Sequence, residues 1–421
     1  MKKWYKLDNA AKIFPSVSNE RRSNLFRISF TMKEEIDPLL LQSALDMTID
    51  RFSTFKVKLK SGLFWYYLEE NKEAPIVVKE DPYILKTFNS RESKGYLFRV
   101  SYYHKRIILE VFHVLTDGYG GLEFLKSLTY NYLTLKGNKI NSQNMILSDL
   151  ETTVEESQDS FVKSYDGRIK INRTEHKARH FTGTLYEENW ISLITGKISE
   201  EDMKMLCHKY DCSNTQFIAS CIIKSAYASK DIIDKKRKNP FQVFVPVNLR
   251  KFFESKTIRN FSLYVRTFVD LEKEMTFEEI VSKVKTDLTG ELQKEKLFAR
   301  VMSNVKWEKM LVMRIVPLII KKIAFKIGYV ACGESANSFS LSNLGKIELP
   351  NDMKQLVDEV VFSNGAGDSA PINMGVTSYN GYINMTFNSK IIERNLQKEF
   401  FRTLSSLGAK VIVETNELEV L

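Results

Sequence analysis

Of the five histidines in this 421-residue chain, His113 stands where chemistry is easiest to arrange. It closes an apolar run and leads into His113-Val-Leu-Thr-Asp117-Gly118-Tyr-Gly-Gly121. A neutral imidazole, with an ordinary pKa of about 6.5, takes up a proton near physiological pH, so a rigidly held one suits general-base work on an alcohol or amine. Asp117 can orient that ring as the acid of a triad does, or it can be turned back into the scaffold. The plainer alternative is a histidine satisfied within a core. His176 and His180 share a helical i, i+4 spacing, but no Glu follows His176 and no third ligand is evident, so no metal site is expected. The chain has no Gly-x-Ser-x-Gly elbow, and a serine nucleophile of that kind is not expected.

The elements around His113 can be read from pattern. Residues 107–112 are β-branched or aromatic on both faces, which marks a buried central strand. Gly118, Gly120 and Gly121 permit left-handed backbone and close approach, so the chain is expected to turn into a helix near Leu122. Residues 96–103 and 107–113 flank His104-Lys-Arg106 as a hairpin, and residues 55–59 and 63–68 flank Lys60-Ser-Gly62 as another. Residues 24–32 read as a strand, and Asp37-Pro38 opens a helix with a broad apolar stripe. Strand, helix, hairpin, hairpin and helix make an α/β layered lobe whose sheet ends at the histidine loop.

Length predicts a second lobe, because one core rarely organises more than about 250–300 residues. The expected division is 1–175, with an inter-lobe connection, and 176–421. In the second part Ser199-Glu-Glu-Asp and Thr276-Phe-Glu-Glu279 read as helix starts. A helix follows from Ser213, and residues 241–247 alternate as a strand ending in Asn248-Leu-Arg250. Residues 260–269 form another strand, Phe339-Ser-Leu-Ser-Asn-Leu-Gly345 ends a short one, and residues 372–379 and 382–387 face each other across Asn380-Gly381. A final helix is expected over 393–407.

The net charge is +10 from 62 basic and 52 acidic residues. The basic residues are scattered and no nucleic-acid module is recognisable, so nucleic acid is not the expected partner. Lys235-Lys-Arg-Lys238 reads as a solvated loop, while a phosphate-bearing ligand such as coenzyme A suits the basic surface. Four cysteines without zinc spacing point to a reducing, cytoplasmic setting, and the N-terminus lacks the apolar core of a signal peptide. Residues 310–330 are the segment most like membrane sequence, but Lys321, Lys322 and Lys326 interrupt it well before the length of a span. It is expected either to pack on the protein or to lie as a cationic amphipathic helix at a membrane surface.

Taken together, these motifs resemble the superfamily of chloramphenicol acetyltransferase, plant BAHD acyltransferases, condensation domains and alcohol acetyltransferase-like proteins. His113-Val-Leu-Thr-Asp117-Gly118 matches its His-x-x-x-Asp-Gly motif. Val245-Pro-Val-Asn-Leu-Arg250 is similar to its strand ending in a structural arginine, and Arg259-Asn-Phe-Ser262 to the strand start that follows. Leu341-Ser-Asn-Leu-Gly345 and Tyr5-Lys-Leu-Asp-Asn-Ala-Ala-Lys-Ile-Phe-Pro15 look like the alcohol acetyltransferase-like branch. Phe112 stands where condensation domains usually carry a second histidine, and the plant Asp-Phe-Gly-Trp-Gly motif is absent.

The resemblance implies two chloramphenicol acetyltransferase-type lobes with a channel between them, in which acyl thioester and acceptor meet at His113. It implies an acyl-CoA-dependent acyltransferase, acetyl being the expected group, with no permanently bound cofactor and no metal. His113 would act by direct base catalysis without an acyl-enzyme. The family pattern pairs Asp117 with Arg250 to hold the loop, beside Gly118. Ser342 or Asn343 could donate to the oxyanion, or merely stabilise their own turn. A carrier-protein-dependent enzyme and a non-catalytic binding protein on the same fold are the alternatives. A small alcohol or amine is the expected acceptor, and the chain is expected to be monomeric.

Overall fold

In each of the two large sheets the middle strands are buried on both faces and the edge strands are more open. The computed structural model describes residues 3–165, 177–235 and 238–417. They form a mixed α/β molecule of two lobes, each with its own apolar core. In the N-terminal lobe a five-stranded sheet runs in the order β12 (Val357–Asn364), β2 (Leu25–Met32), β7 (Arg106–Phe112), β6 (Phe98–Tyr103) and β5 (Val77–Lys79). A small sheet of β1 (Trp4–Lys6), β4 (Tyr66–Glu70) and β3 (Val57–Ser61) lies beside it. β7 is the middle strand, antiparallel to both β2 and β6. Ile107, Ile108, Leu109 and Val111 are fully buried, and Glu110, the one charge among them, is buried as well and paired with Arg99.

The C-terminal lobe holds a seven-stranded sheet. Its order is β10 (Ser262–Val269), β9 (Phe241–Asn248), β11 (Phe339–Lys346), β13 (Ile372–Tyr379), β14 (Tyr382–Ser389), β8 (Ser192–Ser199) and β15 (Ile412–Thr415). Between β13 and β14, Asn380 and Gly381 take φ of 50° and 79°, the left-handed pair that a two-residue hairpin turn requires. Helices begin where side chains can meet their free N–H groups. Asp37 accepts from the amides of Leu39 and Leu40 ahead of the Pro38–Arg51 helix. Ser213 and Thr276 form capping boxes at the Asn214–Ala228 and Phe277–Glu291 helices.

Two expectations change. β12, placed by sequence with the C-terminal lobe, pairs with β2 and extends the N-terminal sheet over residues 357–364. It is held there by the other sheet. Thr377 Oγ1 and Asn384 Nδ2 donate to the Val360 carbonyl at 2.6 and 3.0 Å, and a Cβ on Gly375 would come within 2.1 Å of the Phe362 carbonyl oxygen. The lobes therefore share a strand, which no local pattern reveals.

The helix after His113 starts at Gly118 rather than near Leu122, because Asp117 caps it. The segment 310–330, expected to fall short of a span, contains the Leu318–Gly328 helix of 11 residues. Among the described residues no helix is long and apolar enough to cross a membrane. The expected division near residue 175, His176, and Lys236 and Arg237 of the basic tract lie outside the described residues.

Candidate active site

His113 sits one residue past β7, its backbone N–H bonded to the Asn24 carbonyl at 3.1 Å. Its own carbonyl accepts from Asn260 Nδ2 at 2.9 Å. Phe14 stacks on the imidazole with centroids 5.3 Å apart, and Phe26 tilts against it at 4.8 Å. The residue as a whole is partly covered, and its imidazole is packed between these two rings. Burial of the imidazole pushes its pKa below the ordinary value. The Asp117 charge, a backbone hydrogen bond at Thr116 and the Asn260 side chain oppose that shift. The outcome is a histidine biased toward its neutral form, able to accept a proton.

Asp117 faces away from this ring and into the scaffold. Arg250 grips it with two N–H groups, Nη1 to Oδ2 at 2.9 Å and Nη2 to Oδ1 at 3.3 Å. The amides of Phe261 and Gly120 add bonds of 2.8 and 3.3 Å. Arg250 is held in turn by the Thr257 carbonyl at 2.8 Å, by Asn248 Oδ1 at 3.1 Å and by the Arg259 carbonyl. Its guanidinium carbon lies 4.5 Å from the Tyr119 ring centroid. A bidentate, nearly dry pair of this kind fixes position more than it adds net stability.

The glycines after Asp117 are helical, not left-handed. Their smallness serves approach instead: a Cβ on Gly120 would meet the Ile258 carbonyl oxygen at 2.0 Å, and one on Gly121 the Phe26 ring at 2.6 Å. Thr116 Oγ1 donates to that same Ile258 carbonyl, so residues 257–261 clamp the loop from the other lobe.

At Gly118 a Cβ would meet Leu344 at 2.6 Å, which brings the last part of β11 against the histidine loop; the tight turn expected there is instead an irregularity within the strand, whose register against β13 shifts between Asn343 and Lys346. Within β11 Asn343 is committed: Oδ1 accepts from the Gly345 amide at 2.7 Å and Nδ2 donates to Thr215 Oγ1 at 3.0 Å. Ser342 Oγ accepts from Asn364 Nδ2 at 3.0 Å. Asn364 ends the shared strand β12, so this hydroxyl is placed by both sheets.

Sequence reading missed Asp8, Asn260 and Phe14 as parts of the site. Asp8 is fully buried and accepts from Ala11 N at 2.8 Å and Asn260 Nδ2 at 3.1 Å, with Arg259 Nε 3.6 Å away. Burial pushes its carboxyl up to about 6, with Arg259 pulling it down and Asp159 pushing further up. Asn260 thus links Asp8 to the His113 backbone. The sequence signal was present in both segments, Tyr5–Pro15 and Arg259–Ser262, but only as motif likeness without a role.

A cleft of about 1660 Å³ opens beside these residues. Leu7 and Arg259 line its inner wall, next in sequence to Asp8 and Asn260. Elsewhere in the lining Lys6, Lys12, Lys163, Lys309 and Arg314 outnumber Glu69, Asp159 and Glu308, Lys12 being paired with Glu308. A smaller cavity of about 400 Å³ lies on the far side of β6. There Arg27 and Arg99 are paired with Glu80 and Glu110, so its charges answer one another. Among the described residues no cluster of His, Cys, Asp and Glu could hold a metal ion. His180 Nδ1 instead contacts the Ser369 carbonyl oxygen at 2.8 Å.

The fold has solved counterparts. Trichothecene 15-O-acetyltransferase from Fusarium sporotrichioides superposes with a TM-score of 0.60 at 10% identity, covering 96% of this chain and 94% of that one. TRI101 from F. sporotrichioides, solved with coenzyme A and T-2, gives 0.59 at 12% identity over 97% and 99%. The first condensation domain of the calcium-dependent antibiotic synthetase, with a substrate analogue, gives 0.58 at 11% over 96% of each chain. Among curated proteins none matches the sequence. The alcohol acetyltransferase family model matches residues 169–405, more than half of the chain and including Arg250, Ser342 and Asn343. With the two-lobed fold and this match together, the chain belongs to the alcohol acetyltransferase family and is an acyltransferase.

Proposed function

We propose that this acyltransferase moves an acyl group, acetyl in the simplest case, from coenzyme A to the hydroxyl or amine of a small acceptor, with His113 as general base. The observation that carries the reading is a histidine at the end of a central strand, biased toward neutrality by burial, whose neighbouring carboxylate is engaged by Arg250 and the amides of Phe261 and Gly120. As the acceptor oxygen or nitrogen bonds to the thioester carbonyl carbon, its proton passes to the imidazole. Collapse of the tetrahedral intermediate breaks the carbon–sulfur bond, and the imidazolium returns the proton to the departing thiolate. A thiolate leaves readily, so no acyl-enzyme is needed.

Asp117 and Arg250 hold the loop, and Gly118 admits the last part of β11 against it. Ser342 is the better oxyanion donor of the two candidates there, because both ends of the Asn343 amide are already used. The basic cleft suits the phosphates of coenzyme A, which TRI101 was solved with.

The test is release of free thiol from acetyl-CoA across a panel of alcohols and amines. His113→Ala should lower the rate by about a hundredfold or more. Equal release by parent and variant would remove His113 from the chemistry. The lowered pKa of His113 has a further consequence: activity should hold steady as pH falls through 6.5 and decline only below it, where the ring becomes charged.

A further inference from the structure

The Leu318–Gly328 helix is built inside out. Ile319, Ile320, Ile323 and Ile327 lie 74, 56, 60 and 65% exposed, while Lys321 is buried. Spacing of i, i+1, i+4 and i+8 puts the four isoleucines on one face. The lysine points the other way, with Nζ 3.6 Å from the Trp65 ring centroid and donating to the Phe64 carbonyl at 2.8 Å. Water gives no reason for this orientation, since turning the helix over would bury four isoleucines and free one ammonium.

The hairpin between β3 and β4 continues the apolar face. Leu63 is 71% exposed, and its carbonyl accepts from the Leu318 amide at 2.8 Å. Its neighbour Phe64 is 40% exposed. Ile315 and Val330, before and after the helix, are exposed as well. Lysines accompany the face: Lys326 is exposed, and Lys322 lies 5.1 Å from the Tyr66 ring centroid. From Lys309 to Val330 the chain carries five basic residues and no acidic one.

We propose that this face, the Leu318–Gly328 helix with the Leu63-Phe64 hairpin tip, docks the protein on an anionic phospholipid bilayer. At 11 residues the helix is far too short to span a membrane, and it matches the interfacial class, apolar residues in the acyl boundary and lysines at the headgroups. The lysines decide between lipid and a second copy of the chain. In a symmetric pairing they would face their own kind, whereas phosphate headgroups neutralise them. Phe64 belongs both to this face and to the rim of the basic cleft, so a docked molecule would open its cleft at the bilayer.

The experiment is vesicle co-sedimentation of the full chain, and it reads binding rather than turnover, so it stands apart from the acyl-transfer reading. Phosphatidylcholine vesicles with about one-third phosphatidylglycerol should retain the protein, pure phosphatidylcholine much less, and added salt should weaken retention. Replacing Ile319, Ile323 and Ile327 by Ser should reduce partitioning at least about tenfold, with an unchanged circular dichroism spectrum and melting temperature. Lys322→Glu with Lys326→Glu should erase the preference for anionic vesicles. The proposal fails if the parent stays in solution with anionic vesicles or if the triple variant binds as well as the parent. It fails equally if the parent is a dimer that ignores vesicles and that the serine substitutions dissociate.

Discussion

Two buried carboxylates flank the candidate site, and they are treated differently by the same stretch of chain. Asp117 receives two N–H groups of Arg250 and the amides of Phe261 and Gly120. Asp8 receives one amide and one side-chain N–H, with its arginine, Arg259, offset at 3.6 Å and a second carboxylate, Asp159, raising its pKa further. The first is a charge answered on every side. The second is a charge that burial half suppresses, at a pKa of about 6. Depth alone does not determine the ionisation of a carboxyl group; the number and aim of the donors around it do.

Breaking the first of these should cost most. Arg250→Ala leaves the Asp117 charge buried without its partner, and a loss of about 3–5 kcal/mol is expected in denaturant unfolding. Asp117→Asn should cost less, since it removes the charge along with the mismatch. If Arg250→Ala unfolds at the parent midpoint, the pair is not what holds the loop.

Asp8 sharpens the contrast through pH. Its folded pKa, about 6, lies above the unfolded value of 3.8, so its contribution is fully present below about pH 4 and is lost as pH rises through 6. The displacement of about two units corresponds to about 3 kcal/mol. His113 acts with the opposite sign: its depressed pKa makes it destabilising when protonation is forced, so its contribution is present above pH 6.5 and is lost on acidification. Asp8→Asn should therefore remove the decline in stability between pH 4 and 6 and uncover the His113 rise. A variant whose pH profile matches the parent would place the titration elsewhere.

The smallest expected difference separates two glycines. Gly120→Ala would press on the backbone carbonyl of Ile258, whereas Gly118→Ala would press on the end of the Leu344 side chain. Overpacking of about 1–3 kcal/mol is expected at Gly120 and less at Gly118, because a leucine can change rotamer and a clamped carbonyl cannot. Thermal unfolding of the two variants measures the order directly.

Much of this arrangement was legible in the chain. The apolar run before His113 follows from burial on both faces, the Asn380-Gly381 turn from left-handed backbone, and the helix starts at Asp37, Ser213 and Thr276 from capping, all relations within a few residues. The glycines of the histidine loop were legible as special but not for the right reason. Their neighbours, Ile258, Phe26 and Leu344, lie far along the chain, and close approach leaves no mark in the local pattern. The pairing of β12 with β2 was not legible on the same account, since its neighbours β2 and β13 come from opposite halves of the molecule.

What the amino-acid order determined by itself was the set of strands, caps and turns, and the presence of a histidine at the end of a rigid strand, because these depend on period, propensity and short contacts. Tertiary structure alone decided that Asp117 turns to Arg250 and not to His113, that Asn260 ties Asp8 to the histidine backbone, and that a helix rich in isoleucine turns its lysine inward. Those outcomes depend on which distant groups arrive first within hydrogen-bond or van der Waals reach, and that is a property of the packed chain.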